Sequence, residues 1–193
     1  MVKKSKSVFL TLILTIVISV LLFLGFITAL KKCVYKTPYL ATVKDCSREF
    51  NLDEYLIYSV IKVESSFNER AVSNKGAVGL MQIREQTGEY IASSLNEKEY
   101  DLYNGETNVR FGCYYIRYLI NKFQEEKTAL CAYNAGEGTV RTWLKDERYS
   151  KDGKTLYNVP YAETREYIEK IYKCYGNYKK LYSNFLDKEE KFK

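Results

Sequence analysis

The spacing of apolar residues predicts a chain built almost entirely of helices. Over residues 52–64, apolar side chains recur at the spacing of a helix with one buried face. No stretch alternates apolar and polar residues for long enough to indicate a strand, so the predicted fold class is mainly α. Further helices are predicted over residues 37–50, 80–95 (as one helix or two short ones), 108–123, 128–133, 139–144 and 163–182.

The first 32 residues have a different pattern. Residues 8–30 form an unbroken run of 23 uncharged, mostly apolar residues, which as a helix spans about 34 Å and is long enough to cross a bilayer. Three lysines precede the run and two follow it, which favours a cytoplasmic N-terminus only slightly. We expect a single-pass membrane anchor at residues 1–32, with the rest of the chain outside the cytoplasm; a cleaved signal peptide is the alternative.

The net charge of +6 is concentrated in this leading segment. Residues 1–32 contain five lysines and no acidic residue, which leaves 25 basic and 24 acidic residues in the remainder. Proteins that bind nucleic acids need a concentrated basic face. A nearly neutral domain therefore argues against a nucleic-acid partner.

Histidine is absent from the sequence. This excludes Ser-His-Asp hydrolysis, Cys-His peptidase chemistry and His-ligated zinc. The five cysteines show no close pair, so neither a metal site nor a disulfide framework is predicted, and nothing requires a cofactor. Cys113 and Cys131 lie within apolar helical patterns and are expected to be buried. Acid–base chemistry near neutral pH then falls chiefly to a carboxyl group with an altered pKa.

Glu64 is the candidate for such a carboxyl group. Helical geometry places it in line with the apolar face of the helix over residues 52–64, three residues after Ile61. A buried carboxyl group tends to keep its proton, as a general acid must. Gly76 and Gly79 follow in a segment that reads as a tight loop able to approach an extended ligand. The alternative is a surface glutamate that bonds the end of its helix.

Four blocks of sequence, spread from about residue 40 to residue 180, resemble the lytic transglycosylase family. The resemblance is to the catalytic domain of the soluble lytic transglycosylase type, whose fold is lysozyme-like and nearest to goose-type lysozyme. The blocks are Glu64-Ser65-Ser66-Phe67, residues 73–83 with Gly79-Leu80-Met81-Gln82-Ile83, residues 129–138 with Ala132-Tyr133-Asn134-Ala135-Gly136, and residues 160–171 with Glu163-Thr164-Arg165 and Tyr167-Ile168.

The resemblance implies a fold and a domain plan. We expect a lysozyme-like helical catalytic domain at residues 40–183, preceded by the membrane anchor (residues 1–32) and a tether (residues 33–39). Residues 184–193 are expected to form a charged tail. The implied location is the bacterial cell membrane, with the catalytic domain extracytoplasmic.

The resemblance also implies a reaction. In this family a single glutamate, here Glu64, cleaves the MurNAc-GlcNAc β-1,4 bond of peptidoglycan without water and leaves 1,6-anhydroMurNAc ends. The sequence departs from the family where Arg84-Glu85 replace a residue followed by proline. A charged pair at that position is expected to change substrate contacts near the cut.

Five further residues receive substrate-binding roles from the resemblance: Ser73, Gln82, Tyr133, Asn134 and Glu163. Ser73 and Gln82 would hydrogen-bond the sugars or their acyl groups, and Tyr133 and Asn134 would position an N-acetyl group and restrain Glu64. Three have structural alternatives. Gln82 would cap a helix, Tyr133 would belong to the core, and Glu163 would cap the last helix.

Two other functions stay open. One is a hydrolytic lysozyme that uses Glu163, Glu137 or Asp101 as a second carboxylate. The other is a non-catalytic peptidoglycan-binding module of an envelope-spanning complex. The expected partners are peptidoglycan glycan strands, the membrane through residues 8–30, and cell-wall or secretion machinery.

Overall fold

The computed structural model describes the backbone of residues 2–189 and the side chains of residues 9–183. It divides into two compact units. One spans Thr37–Lys180, and the other joins Met1–Lys36 to Leu181–Lys193. The expected charged tail at residues 184–193 lies outside the residues whose side chains are described.

The N-terminal helix contains the apolar run and extends beyond it at both ends. Helix α1 spans Val2–Val34. Within it, Phe9–Val34 has a mean hydropathy of 2.9, and it is the one helix in the described part of the chain that is long and apolar enough to cross a membrane. None of its most apolar stretch is buried against protein. Its length and composition suit a hydrocarbon environment.

The residues that precede the first two helices of the Thr37–Lys180 unit determine where each helix begins. We predicted that the first of them starts at Thr37-Pro38, but α2 spans Leu40–Phe50. Tyr39 adopts a left-handed conformation with φ 59°, and a right-handed helix starts only after such a residue. Helix α3 spans Glu54–Ser65, and the Asp53 side chain accepts a hydrogen bond from the backbone N–H of Tyr55. This N-cap fits the helix predicted over residues 52–64.

A short β structure follows α3. Strands β1 (Ala77–Val78) and β2 (Ile83–Arg84) pair antiparallel. Two-residue strands are too short to show a period in the sequence, which is why the apolar pattern did not reveal them. Helix α4 spans Glu85–Leu95, so the predicted helix over residues 80–95 begins five residues later than its first position. We call residues 71–84 the 71–84 loop.

The remaining helices follow the predicted order. The Asn104 side chain accepts from the Thr107 N–H and caps a helix three residues earlier than the predicted start. Gly136, with φ 89°, alone separates two helices where a longer break was predicted. The bounds are α5 Gly105–Phe123, α6 Glu126–Ala135, α7 Glu137–Leu144 and α8 Ala162–Glu189.

The core of the Thr37–Lys180 unit is arranged around α5, which packs against α2 and α6. Helix α3 is buried along most of its length, with Ile57 and Ile61 fully inaccessible. Cys113 and Cys131 are both completely buried, which confirms their prediction as core residues. Burial of these apolar faces fixes the end of α3, where Glu64 lies.

Candidate active site

A cavity of about 520 Å³, here called the cleft, opens among α3, the 71–84 loop, α6 and α8. Its lining residues are separated by up to 99 positions along the chain, so only the fold brings them together. Gly76 and Gly79 are not among these lining residues. The six residues given catalytic or substrate-binding roles from the sequence all line this cleft: Glu64, Ser73, Gln82, Tyr133, Asn134 and Glu163.

Glu64 lies in the last turn of α3 and is half-buried. The neighbouring Ser65 hydroxyl donates to the Leu80 carbonyl at 2.8 Å and ties the end of α3 to the 71–84 loop. Burial raises the pKa of Glu64 to about 7, because a charged carboxylate loses its hydration there. About half of the Glu64 carboxyl groups therefore still carry a proton at pH 7, where an ordinary glutamate is ionised.

Tyr167 is the hydrogen-bond partner of Glu64. Its hydroxyl donates to Oε1 of Glu64 at 2.7 Å and lowers the carboxyl pKa, against the larger effect of burial. Burial raises the pKa of Tyr167 well above its ordinary value, so the phenol stays protonated as a donor. Sequence reasoning placed Tyr167 in a family block but gave it no role. Its position four residues after the candidate Glu163, one turn further along α8, is the signal that was available.

Ser73 and Gln82 hold the 71–84 loop in shape. The Ser73 hydroxyl oxygen accepts from the Ala77 N–H at 3.0 Å. The Gln82 amide donates to the Ala71 and Gly79 carbonyls at 3.1 and 2.9 Å. Gln82 lies immediately before β2, so it braces the loop and does not cap a helix. Both side chains also line the cleft.

Asn108 supports the same loop from the core side. Its Oδ1 accepts from the Met81 N–H at 2.7 Å, and its Nδ2 donates to the Val78 and Leu102 carbonyls at 3.0 and 2.7 Å. The side chain is completely buried. Three bonds satisfy a buried amide and fix the loop against α5. Sequence reasoning missed this residue, because Asn108 stood at a predicted helix boundary where asparagine is common.

Tyr133 and Asn134 come from the end of α6. The Tyr133 hydroxyl donates to the Met81 carbonyl at 2.7 Å, and Oδ1 of Asn134 accepts from the Thr164 hydroxyl at 2.8 Å. We expected these two residues to restrain Glu64. The hydrogen bond that holds Glu64 instead comes from Tyr167, because the first turns of α8 pass beside the end of α3. Tyr133 and Asn134 join the 71–84 loop and α8 to α6.

The rim of the cleft is charged. Glu163, in the first turn of α8, faces Lys75 with 3.9 Å between Nζ and Oε2, and both side chains are about three-quarters exposed. A pair this exposed contributes little to stability. Arg84 also lines the cleft, whereas the next residue, Glu85, accepts from the Tyr100 hydroxyl at 2.7 Å outside it. Of the charged pair that we expected at the lip, only Arg84 lines the cleft.

The other two carboxylates considered from the sequence do not line the cleft. Glu137 forms ion pairs with Lys122 and Arg141 at 2.7 and 2.8 Å. Asp101 accepts from the backbone N–H of Tyr103 at 2.8 Å. Within the described residues, no group of three or more histidine, cysteine or carboxylate side chains is placed to hold a metal ion.

Residues 42–156 match the model of the transglycosylase SLT domain family. The chain belongs to this family. The match includes Glu64, the 71–84 loop and the end of α6, and it ends before Glu163 and Tyr167 on α8. The mainly helical fold class is confirmed by solved structures of lytic transglycosylases that share it.

Two curated relatives illustrate the range of SLT-domain proteins that the chain resembles. The soluble lytic murein transglycosylase of Salmonella typhimurium is 31% identical over 153 residues, covering 76% of this chain and 22% of the relative. The membrane-bound lytic murein transglycosylase C of Mannheimia succiniciproducens is 30% identical over 168 residues, covering 74% of this chain and 47% of the relative. The chain therefore spans less than half of either relative.

Two solved structures of SLT-domain proteins superpose on the chain. The 70 kDa soluble lytic transglycosylase of Escherichia coli has a TM-score of 0.68 at 25% identity, covering 77% of this chain and 25% of that one. An inactive mutant of lytic transglycosylase Slt from Pseudomonas aeruginosa has a TM-score of 0.66 at 28% identity, covering 76% and 25%. A 70 kDa soluble lytic transglycosylase in complex with bulgecin A also superposes on the chain, with a TM-score of 0.67.

The site combines one proton donor with a polar groove. The Glu64 carboxyl group has a pKa of about 7, is held by Tyr167 and faces the cleft. Hydroxyl, amide and cationic side chains surround it along the cleft walls. This arrangement is suited to general acid catalysis on a polar, extended ligand.

Proposed function

We propose that this chain is a membrane-anchored lytic transglycosylase that cleaves the MurNAc-GlcNAc β-1,4 bond of peptidoglycan and leaves 1,6-anhydroMurNAc ends. The observation that carries the proposal is Glu64, a carboxyl group with a pKa of about 7 that faces a cleft and is held by Tyr167. Membership of the SLT family supports the same activity. Its curated relatives are named lytic murein transglycosylases.

The proposed reaction uses Glu64 twice. First, the Glu64 carboxyl group donates its proton to the glycosidic oxygen, and the bond to C1 of MurNAc breaks with the electron pair leaving on that oxygen. The resulting Glu64 carboxylate then removes the proton from the C6 hydroxyl of the same sugar, whose oxygen bonds to C1. The proton returns to Glu64 and no water is consumed. An internal nucleophile has a high effective concentration, so no second carboxylate is required to activate water.

Five other residues position the glycan in this proposal. Ser73 and Gln82 line the wall made by the 71–84 loop, where their polar atoms reach sugar hydroxyl or acyl groups. Tyr133 and Asn134 line the cleft from the end of α6 and would receive the N-acetyl group. Glu163 lies at the rim beside Lys75 and contacts the substrate from the start of α8. Ser73, Gln82, Tyr133 and Asn134 also hold the walls of the cleft together through their hydrogen bonds.

A hydrolytic lysozyme reaction is the second candidate, because Glu163 gives the cleft a second carboxylate. Hydrolysis requires a carboxylate to activate water or to attack the sugar directly. Glu137 and Asp101 are less suited to that role, since each is engaged elsewhere and neither lines the cleft. Glu163 is exposed at the rim, whereas Glu64 lies deeper. This difference favours the single-acid reaction.

The proposed location is the bacterial cell membrane, with residues 8–30 crossing it once and the catalytic domain, residues 40–183, outside the cytoplasm. Helix α1 supports the membrane association by its length and composition. The membrane-bound lytic murein transglycosylase C relatives support it by name. Residues 33–39 act as a tether that lets the domain reach peptidoglycan near the membrane. Cell-wall or secretion machinery is the partner class that needs an enzyme there.

The test uses the full chain in detergent micelles with purified peptidoglycan. Soluble products are identified by mass spectrometry for the wild type, Glu64→Gln and the matched control Glu69→Gln, an exposed glutamate outside the cleft. We expect anhydro-ended muropeptides from the wild type and the control. Loss of the acid in Glu64→Gln is expected to reduce their rate of formation by roughly 100-fold or more.

Two outcomes contradict the proposal. Reducing-end products from the wild type assign hydrolysis, and Glu163→Gln then tests the second carboxylate. Binding of peptidoglycan by folded protein with no products assigns a non-catalytic module of an envelope-spanning complex.

A further inference from the structure

Four tyrosine rings form a continuous row that begins in the cleft and ends at the protein surface. The centroids of the Tyr133 and Tyr115 rings lie 5.7 Å apart, and both residues line the cleft. Tyr115 stacks on Tyr118 with 5.9 Å between centroids and 12° between the ring planes. Tyr118 in turn meets the edge of Tyr90 at 5.5 Å. Tyr118 and Tyr90 are not among the residues that line the cleft, and we call them the outer tyrosine pair.

The outer tyrosine pair continues the surface of the cleft along two helices. Thr87 on α4 and Tyr115 on α5 both line the cleft. Tyr90 and Tyr118 each follow three residues later on the same helix, and residues at this spacing are neighbours on one helix face. The two helices therefore carry the aromatic surface about one helical turn beyond the cleft.

The outer tyrosine pair keeps surface that the core does not use. Tyr90 is 44% exposed and Tyr118 is partly exposed. By contrast, Tyr58 and Tyr178 stack at the same centroid distance of 5.5 Å and are completely buried. A tyrosine pair that only packs two helices together gains most from such burial. The exposed rings of the outer tyrosine pair are therefore available to a ligand.

Polar groups border the outer tyrosine pair. The Nζ atom of Lys122 lies 4.8 Å from the centroid of the Tyr118 ring. The Tyr118 hydroxyl donates to Oε2 of Glu137 at 3.1 Å, and Lys122 also pairs with Glu137 at 2.7 Å. These contacts hold hydrogen-bonding groups beside the ring. Such a surface suits a sugar, whose C–H face packs on an aromatic ring while its hydroxyl and amide groups bond polar neighbours.

We propose that the outer tyrosine pair is a further glycan-binding site, at which a sugar beyond the two at the cleaved bond packs on Tyr90 and Tyr118. This inference rests on the proposed function, because its ligand is the strand that occupies the cleft. The occupant is a later segment of that strand, since the tyrosine row starts at residues that line the cleft and continues from them without a break.

The expected consequence is a preference for long strands. A short fragment fills the cleft and does not reach Tyr90, whereas a longer strand contacts both. The outer tyrosine pair lies away from Glu64, so its contacts with the glycan do not change during the reaction. Loss of such contacts raises KM and leaves kcat unchanged.

The test measures binding separately from cleavage. The full chain in detergent carries Glu64→Gln, so that bound strands stay intact. Calorimetric titration gives its affinity for glycan strands that are released from purified peptidoglycan, freed of peptides and separated by length. Tyr90→Ala is compared in this parent with Tyr103→Ala, a tyrosine that is 50% exposed and outside the cleft.

We expect Tyr90→Ala to weaken the binding of long strands roughly fivefold, because one ring contact is lost. The affinity for short fragments should not change. Tyr90→Phe, which retains the ring, should bind long strands as the parent does. Tyr103→Ala should bind both lengths as the parent does.

Two results would overturn the proposal. One is an equal affinity of the parent and Tyr90→Ala for long strands, and the other is an equal loss for short and long strands. The parent alone decides the question if Tyr90→Ala fails to fold, since its affinity must rise from short fragments to long strands. Failure of the proposed reaction is recognised separately, by the products of the wild type, because the titration uses a protein that does not need to cleave.

Discussion

The hydroxyl of Tyr167 donates a hydrogen bond of 2.7 Å to Oε1 of Glu64, although 103 residues separate the two. The bond joins the end of α3 to the start of α8. It orients the carboxyl group and opposes part of the rise in its pKa. The orientation and the pKa of Glu64 therefore depend on two helices from distant parts of the chain.

Removal of that bond is expected to change the pH dependence of activity. If Glu64 must be protonated to act, the rate falls as pH rises through its pKa of about 7. Tyr167→Phe removes a bond that lowers this pKa, so the falling limb should move to higher pH, and the rate at pH 6 should drop roughly tenfold as orientation is lost. Rates of muropeptide release measured from pH 5 to pH 9 check both effects.

The control for this prediction is Tyr172→Phe, on the same helix. The Tyr172 hydroxyl bonds Glu126 at 3.3 Å and lies outside the cleft, so its loss should leave the limb in place. If the falling limb of the pH–rate profile stays at the same pH in Tyr167→Phe, the hydrogen bond does not lower the pKa of Glu64.

The raised pKa of Glu64 also predicts a stability difference that depends on pH. The folded pKa lies above the ordinary value of 4.5, so this group's contribution to stability is fully present below pH 4.5 and is lost as pH rises through 7. Glu64→Gln, which stays neutral, should match the wild type at pH 4 and exceed its unfolding free energy by roughly 2–3 kcal/mol at pH 8.

Urea unfolding at the two pH values measures this difference. Glu69→Gln, at an exposed position, should stay within about 0.5 kcal/mol of the wild type at both. Equal stability of Glu64→Gln and wild type at pH 8 would show that burial does not disfavour the charged carboxylate.

Much of the fold and the site follows from the sequence, and the omissions have physical causes. The spacing of apolar residues indicated the buried face of α3 and therefore the position of Glu64. The left-handed conformation of Tyr39 and the two-residue strands could not be predicted from the sequence. Single left-handed residues and very short strands leave no periodic signal. The contacts of Tyr167 and Asn108 depend on helix packing between distant segments, which a single sequence does not reveal.

Asn108 is expected to be a main support of the 71–84 loop. Asn108→Ala would leave the Met81 N–H and the Val78 and Leu102 carbonyls without their buried partner. We expect a loss of about 3 kcal/mol in unfolding free energy and a lower rate of muropeptide release. Asn121→Ala, at an exposed position on the same helix, should cost less than about 0.5 kcal/mol. Equal losses in both variants would contradict this role.

Substitutions at two glycines of the 71–84 loop distinguish the cost of backbone strain from the cost of a steric clash. Both have positive φ, 73° at Gly76 and 79° at Gly79. A Cβ at Gly76 would meet nothing within 4 Å, whereas one at Gly79 would lie 2.2 Å from Nδ2 of Asn108. Gly76→Ala should therefore cost about 1 kcal/mol, the strain of a left-handed alanine.

Gly79→Ala should cost at least about 3 kcal/mol, because the loop must also move away from Asn108. Thermal unfolding of the two variants compares these costs. Similar Tm values for both would show that the loop is not packed tightly against Asn108.

The most direct test of the account is the origin of the oxygen at the new sugar end. Peptidoglycan is digested by the full chain in water labelled with heavy oxygen, and the products are weighed. If Glu64 acts alone and the C6 hydroxyl of the sugar attacks, the anhydro ends should contain no label. Labelled reducing ends would show that water is the nucleophile, and would contradict the single-acid mechanism.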